Sequence, residues 1–255
     1  MTRLREIASG VLVSTSELYV TNSVVIAASD GGCLVIDPAV TVDDLAVLVA
    51  DLAELGLRPV AGFATHPHWD HVLWSGDLGD VPRYASAEAV AVAGRKRARL
   101  IEQLQVEAPG HDLGLVGRLT PLAPAQDVVS WHGPEALVVT HAGHAPGHSA
   151  LFLPDTGTLI AGDMCSDIEI PLLDTDQPDP VGDYRTGLGR LAALPVRTVV
   201  PGHGHIGNAA DFRRIVAADS TYLDDLERGA ETTDPRLSTE WLRAEHILQA
   251  NRVRS

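Results

Sequence analysis

The sequence predicts a single α/β domain in which β-sheets pack together and helices cover the outside. Three observations carry this reading. Apolar, β-branched runs come in groups, at 5–13, 18–28 and 32–37 in the first half and near 127–131, 136–141, 149–153 and 158–162 in the second. Amphipathic stretches of helical length lie between and after those groups. No stretch of the 255 residues reads as a linker, and at 45% hydrophobic residues the chain can bury a large core, so 1–255 is read as one domain.

Taken in order, the first three runs are antiparallel strands, with Asp30-Gly31-Gly32 as a turn. A helix follows: Thr41 is its N-cap, Asp43 and Asp44 favour its positive end, Leu45, Leu48, Val49, Leu52 and Leu55 make its apolar face, and Gly56 stops it. The apolar run V-A-G-F-A then leads into T-H-P-H-W-D-H at 65–71, followed by a short segment to Tyr84 and a second helix over 86–105. After the strands of the second half come a helix near 181–194, a strand at 197–201 and two closing helices at about 208–229 and 235–250. Leu223, Leu226, Trp241, Leu242, Ile247 and Leu248 give the closing helices an apolar stripe that fits packing on the domain or a homodimer contact.

Charge narrows the partners. Nineteen basic against 34 acidic residues give a formal net charge of -15, which repels phosphate backbones and anionic membrane surfaces. Nucleic acid and membrane partners are therefore not expected, and a small-molecule partner is. Glu6 and Ser9 interrupt the first apolar stretch, so no signal-peptide core forms and a cytoplasmic location is expected. Cys33 and Cys165 sit in unrelated contexts and read as buried small hydrophobes rather than a disulfide.

The motif at 65–71 carries the chemistry. Were His66 and His68 to continue the strand, the two-residue period would put both imidazoles on one face, able to share one metal. Pro67 removes a backbone donor, which suits a strand end, and Asp70 and His71 lie beyond in a turn, displaced enough to hold a second metal. Three more strand ends supply partners: H-A-P-G-H-S places His148 before A-L-F-L-P, L-I-A-G-D ends on Asp163, and T-V-V-P-G-H-G ends on His203. Each emerges into a glycine-containing turn, where the backbone can bend and a side chain can enter a cleft.

These motifs, running from G-C-L-V-I-D-P to P-G-H-G in order, resemble the metallo-β-lactamase superfamily of dinuclear metal hydrolases. The resemblance implies an αββα sandwich, two mixed β-sheets with helices on both outer faces. It implies that His66, His68 and His148 bind one metal, that Asp70, His71 and His203 bind the other, and that Asp163 bridges them. Asp37 matches a position that orients a ligand, a role His144 could share or exchange for one in a local turn. Two Zn²⁺ suit imidazole and carboxylate without thiolate, with Fe or Mn as alternatives. The paired metals would turn a shared water into hydroxide, making the protein a hydrolase in which Asp70 and Asp163 serve catalysis.

Departures from known branches sort the substrate. Asp163 stands where several β-lactamases have Cys or Ser, His205 where glutathione-thioester hydrolases and persulfide dioxygenases have Tyr, and Ser166 where many lactonases have Tyr. An ester, thioester or lactone of a small molecule is the leading expectation; iron-dependent persulfide oxidation, β-lactam hydrolysis and metal binding without catalysis are the alternatives. Trp69, Trp74, Ser166 and His205 are candidate cleft residues. The basic run G-R-K-R-A-R-L at 94–100 is expected to be a solvated helix face, able to guide an anionic substrate only if its helix overhangs the cleft. His111, His132, His141 and His246 have no partner pattern.

Overall fold

A computed structural model describes residues 3–254; Met1, Thr2 and Ser255 of the expected 1–255 domain lie outside the described residues. Among the described residues, twelve strands form two mixed sheets. The first runs in spatial order through β1 (Arg5–Ala8), β2 (Val11–Thr15), β3 (Asn22–Ala27), β4 (Gly32–Ile36), β5 (Arg58–Phe63), β6 (Arg83–Ala85) and β7 (Thr120–Pro121). Its first four strands are antiparallel hairpin partners, and β4 to β7 pair in parallel. The second sheet comprises β8 (Leu137–His141), β9 (His148–Leu153), β10 (Thr158–Gly162), β11 (Thr198–Pro201) and β12 (Gly207–Asn208), with only β10 and β11 parallel.

Alternation along the strands builds the core. Val11, Val13, Val24, Ile26, Leu34, Ile36 and Phe63 of the first sheet meet Val138, Leu151, Leu153, Ile160 and Val200 of the second. The opposite face of β3 and β4, with Val25, Cys33 and Val35, is covered by Leu45, Leu48 and Leu52 of α1 (Val42–Glu54). α2 (Ala87–Glu107) buries Ala89, Ala93, Leu100 and Leu104 against the loop after β5. α3 (Pro180–Ala192) and α4 (Ala209–Arg228) cover Phe152, Leu159 and Val199 on the other side, joined by Leu242 of α5 (Glu240–Val253). The layers are helix, sheet, sheet, helix, the αββα order expected.

Local chemistry explains the helix ends. The Thr41 hydroxyl accepts from the Asp44 N–H, Ser86 does the same for Ala89, and Asn208 forms a reciprocal capping box with Asp211. Among the described residues, no helix is long and apolar enough to cross a membrane. Both cysteines are free and buried.

Several boundaries differ from expectation. The run 5–13 is a hairpin, because Gly10 at φ 70° turns the chain between β1 and β2. The start of 18–28 is a tight helical turn, and 127–131 is no strand, Val128 making a single bridge to Leu137. The short β7 and β12 carry too few residues to show a period. On α5 only Leu242 of the expected stripe is buried; Trp241, Ile247 and Leu248 are exposed.

Candidate metal centre

The strand β5 ends at Phe63, so His66 and His68 do not continue it; they stand in the bends that follow, where side chains are free to converge. Two groups of ligand atoms result. His66, His68, His144 and Asp163 form one, and Asp70, His71 and His203 form the other. In the first, His68 Nδ1 lies 3.1 Å from His66 Nε2 and 3.0 Å from His144 Nε2. In the second, His203 Nε2 lies 3.3 Å from His71 Nε2 and 3.2 Å from Asp70 Oδ2. Asp163 stands between them, with Oδ2 at 3.3 Å from His66 Nε2, 3.4 Å from His144 Nε2 and 3.3 Å from His203 Nε2, and Oδ1 at 3.2 Å from His71 Nε2.

His144, not His148, takes the third histidine position of the first group. The Nε2 of His148 accepts the backbone N–H of Asp163 at 3.1 Å, and its ring stacks between His66 and His141 with centroids 5.0 and 4.6 Å away. His148 therefore supports the turn that carries Asp163. In H-A-G-H-A-P-G-H both histidines precede β9, and only the turn geometry, with His144 at φ 105°, decides which one enters the cleft.

Four of the five converging imidazoles are oriented from behind. His71 Nδ1 donates to Asp37 Oδ2 (2.9 Å), His144 Nδ1 to the Leu172 carbonyl (2.9 Å) and His203 Nδ1 to the Tyr19 carbonyl (3.1 Å), which leaves each Nε2 facing inward. His66 Nδ1 rests 3.0 Å from the Thr65 hydroxyl. Asp37, at φ 47°, is held in turn by the Thr65 N–H (2.9 Å) and hydroxyl (2.6 Å). Asn22 Nδ2 donates to the carbonyls of Pro201 and Gly204 on either side of His203. Thr65 and Asn22 escape sequence reading because each looks like an ordinary strand residue.

Charge follows the same division. Burial pulls His66 and His68 down to about 3, so both are neutral with lone pairs available. Burial also opposes charge on Asp70 and Asp163, but the surrounding histidines outweigh it and hold both carboxylates well below their usual range. Burial likewise opposes charge on His71 and His203, and there the same carboxylates outweigh it and raise both well above the usual histidine range. Asp163 Oδ1 is buried and receives no hydrogen bond, although His71 Nε2 faces it. With Nδ1 of His71 committed to Asp37, its Nε2 and the Asp163 oxygen need a cation between them, met in the metal-free chain by the proton that raises His71 and open to replacement by a metal ion. Donor set and geometry thus fit metal ions.

Of the expected cleft residues, Trp69 lines a cavity of about 800 Å³ that opens above His68, Asp70, His144, Asp163 and His203. The other three do not. Trp74 lies across Gly62 of β5 and donates from Nε1 to the Gly79 carbonyl, Ser166 is buried with its hydroxyl on the His203 carbonyl, and exposed His205 pairs with Asp167 at 2.9 Å. The cavity gains Lys96 and Arg99 of the basic run 94–100, together with Tyr19 and Glu169, which no spacing rule marks.

The family model of the metallo-beta-lactamase superfamily matches residues 17–203, a span that contains both ligand groups. The chain belongs to that superfamily. Among curated relatives, a hydroxyacylglutathione hydrolase of Thermosynechococcus vestitus is 29% identical over 196 residues, 76% of this chain and 68% of its own length. A second, from Synechococcus sp., is 34% identical over 129 residues, 51% of this chain and 42% of its own, so the chain spans 42% to 68% of the length of these relatives. A metallo-beta-lactamase family protein of Thermus thermophilus shares the fold, with a TM-score of 0.67 at 22% identity over 86% of this chain and 81% of that one. The protein TTHA1623, solved in a di-iron-bound form, gives 0.62 at 25% identity over 80% and 97%.

Proposed function

We propose that this superfamily member is a dinuclear metal-dependent hydrolase of ester-type bonds, acting on a small-molecule thioester, ester or lactone. The observation that carries the reading is the convergence of two ligand groups on one shared carboxylate, Asp163, beneath an open cavity. A structural metal would be enclosed by four ligands and commonly by thiolates; here imidazoles and carboxylates face open space. His66, His68 and His144 would hold one ion, Asp70, His71 and His203 the other, and Asp163 both. Zinc suits this donor set. Two ions so held would supply a water-derived nucleophile at neutral pH and a Lewis acid for the scissile carbonyl.

The chain's own groups do the positioning. Asp37, Leu172 and Tyr19 fix the inward nitrogens through the hydrogen bonds on His71, His144 and His203. Trp69 walls the cavity beside them and limits water around the reacting bond. Resemblance to hydroxyacylglutathione hydrolases supports thioesters among the ester-type bonds.

The test is a metal-quantified hydrolysis panel of thioesters, lactones, β-lactams and phosphodiesters. Turnover of thioesters or lactones is expected, lost in His68→Ala and Asp163→Ala while far-UV circular dichroism is unchanged. Full activity in either metal-depleted variant would overturn the proposal. Resident iron with oxygen uptake on a thiol persulfide would replace hydrolysis by sulfur oxidation.

A further inference from the structure

We propose that the non-reacting end of the substrate carries an anionic group, held by Lys96 and Arg99 on the cavity-facing side of α2. This rests on the hydrolase reading and adds the substrate's charge to it.

The basic run 94–100 divides by function. Arg97 is spent on the fold, donating to the carbonyls of Val116, Leu113 and Gly114 to tie α2 to the loop behind it. Arg95 is exposed and does not line the cavity. Lys96 and Arg99 do line it, on the same helical face as Val92, Leu100 and Gln103, at the three- and four-residue spacing of one stripe. Both side chains are exposed, as a solvated face requires, and they also border the cavity, so the helix overhangs it at these two positions.

Neither cation is neutralised. Among the described residues, no carboxylate lies within ion-pairing distance of Lys96 or Arg99. Glu107, further along the same stripe, instead accepts from the Tyr19 hydroxyl at 2.8 Å. Asp174, another acidic residue of the cavity, accepts from Gln177 and from the Asp176 N–H. Glu169, Asp176 and Glu245 also line the cavity, so Lys96 and Arg99, exposed and unpaired, make a cationic edge confined to its α2 side, where a carboxylate or phosphate would be met. Their place on a helix at the cavity wall, apart from the ligand groups, assigns them to the part of the substrate that does not react.

The test compares three thioesters that differ only at the far end: S-benzoyl-3-mercaptopropionate, its carboxamide, and S-benzoyl-2-mercaptoethyl phosphate. Wild type is expected to favour at least one of the anions over the carboxamide in kcat/KM by about ten-fold, the effect of one charge-assisted contact. Lys96→Ala/Arg99→Ala should bring that ratio near one, Lys96→Glu/Arg99→Glu should invert it, and Arg95→Ala should keep it. No anion preference in wild type, or a preference unchanged in the double variants, overturns the proposal. If none of the three is hydrolysed, the hydrolase reading is what fails. Tryptophan-fluorescence titration of metal-free wild type and double variants with the same compounds then decides the anion site by the ratio of Kd values.

Discussion

Gly202 offers a sharp perturbation of the metal centre, because a single methyl group there collides with the carboxylate both ligand groups share. A Cβ on Gly202 would lie 2.0 Å from Asp163 Oδ1, 3.0 Å from His71 Cε1 and 3.1 Å from the carbonyl carbon of Gly162. Its φ is not in the left-handed region, so alanine brings no backbone strain and the substitution acts by volume alone. Retreat of the backbone is blocked on both sides: the Gly202 N–H donates to the Gly162 carbonyl at 2.6 Å, and its carbonyl accepts from the Asn22 N–H at 2.7 Å. The carboxylate must therefore give way by about 1.4 Å to reach an ordinary contact. Overpacking of this kind costs about 1–3 kcal/mol, and a displacement of that size in a reacting site costs about 100-fold in rate. Gly202→Ala is expected to purify with less than the wild-type metal content by plasma mass spectrometry and to lose about two orders of magnitude in kcat/KM. Wild-type metal content and activity in this variant would refute the assignment of Asp163 to the shared position.

Asp37→Asn keeps the shape of the side chain but removes the charge that holds the His71 Nδ1 proton, and about 10–100-fold weaker metal binding is expected from competitive chelator titration. An unchanged affinity would remove Asp37 from the orienting role. Glu169 gives a pH signature. Burial pushes its carboxyl from 4.5 up to about 7, with the charge of His203 pulling the other way. The folded chain then binds this proton more tightly than the unfolded one, so the contribution favours folding below about pH 4.5 and is lost as pH rises through about 7. In metal-free protein, the stability of Glu169→Gln relative to wild type should grow between about pH 5 and 8 by about 1–3 kcal/mol, the lower end reflecting water in the open cavity. A difference that stays flat or shrinks in thermal unfolding would contradict the sign.

The layered fold was legible because its long elements obey their periods: the leucine face of α1 and the alternation of β3 and β4 place apolar groups where the sheets and helices meet. Six of the seven expected ligands, all but His148, also converge, since T-H-P-H-W-D-H and the ends of β10 and β11 leave little choice of residue. The seventh position was not legible. His144 and His148 are equally plausible in sequence, and a left-handed backbone angle together with the Asp163 N–H bond selects between them. The cavity wall was harder still. Trp74 and Ser166 sit close to ligands in sequence yet turn into the core, whereas Lys96, Arg99 and Glu169 reach the cavity from elements whose approach only tertiary packing determines.

Metal stoichiometry measured together with turnover, on wild type, His144→Ala and His148→Ala, tests most directly the claim that two ligand groups joined at Asp163 form a dinuclear hydrolytic centre. The expected result is two ions per chain and ester-type hydrolysis in wild type, about one ion and no turnover in His144→Ala, and two ions in His148→Ala with lower thermal stability. Two ions and full turnover in His144→Ala, or a wild-type protein that binds no metal, would contradict it.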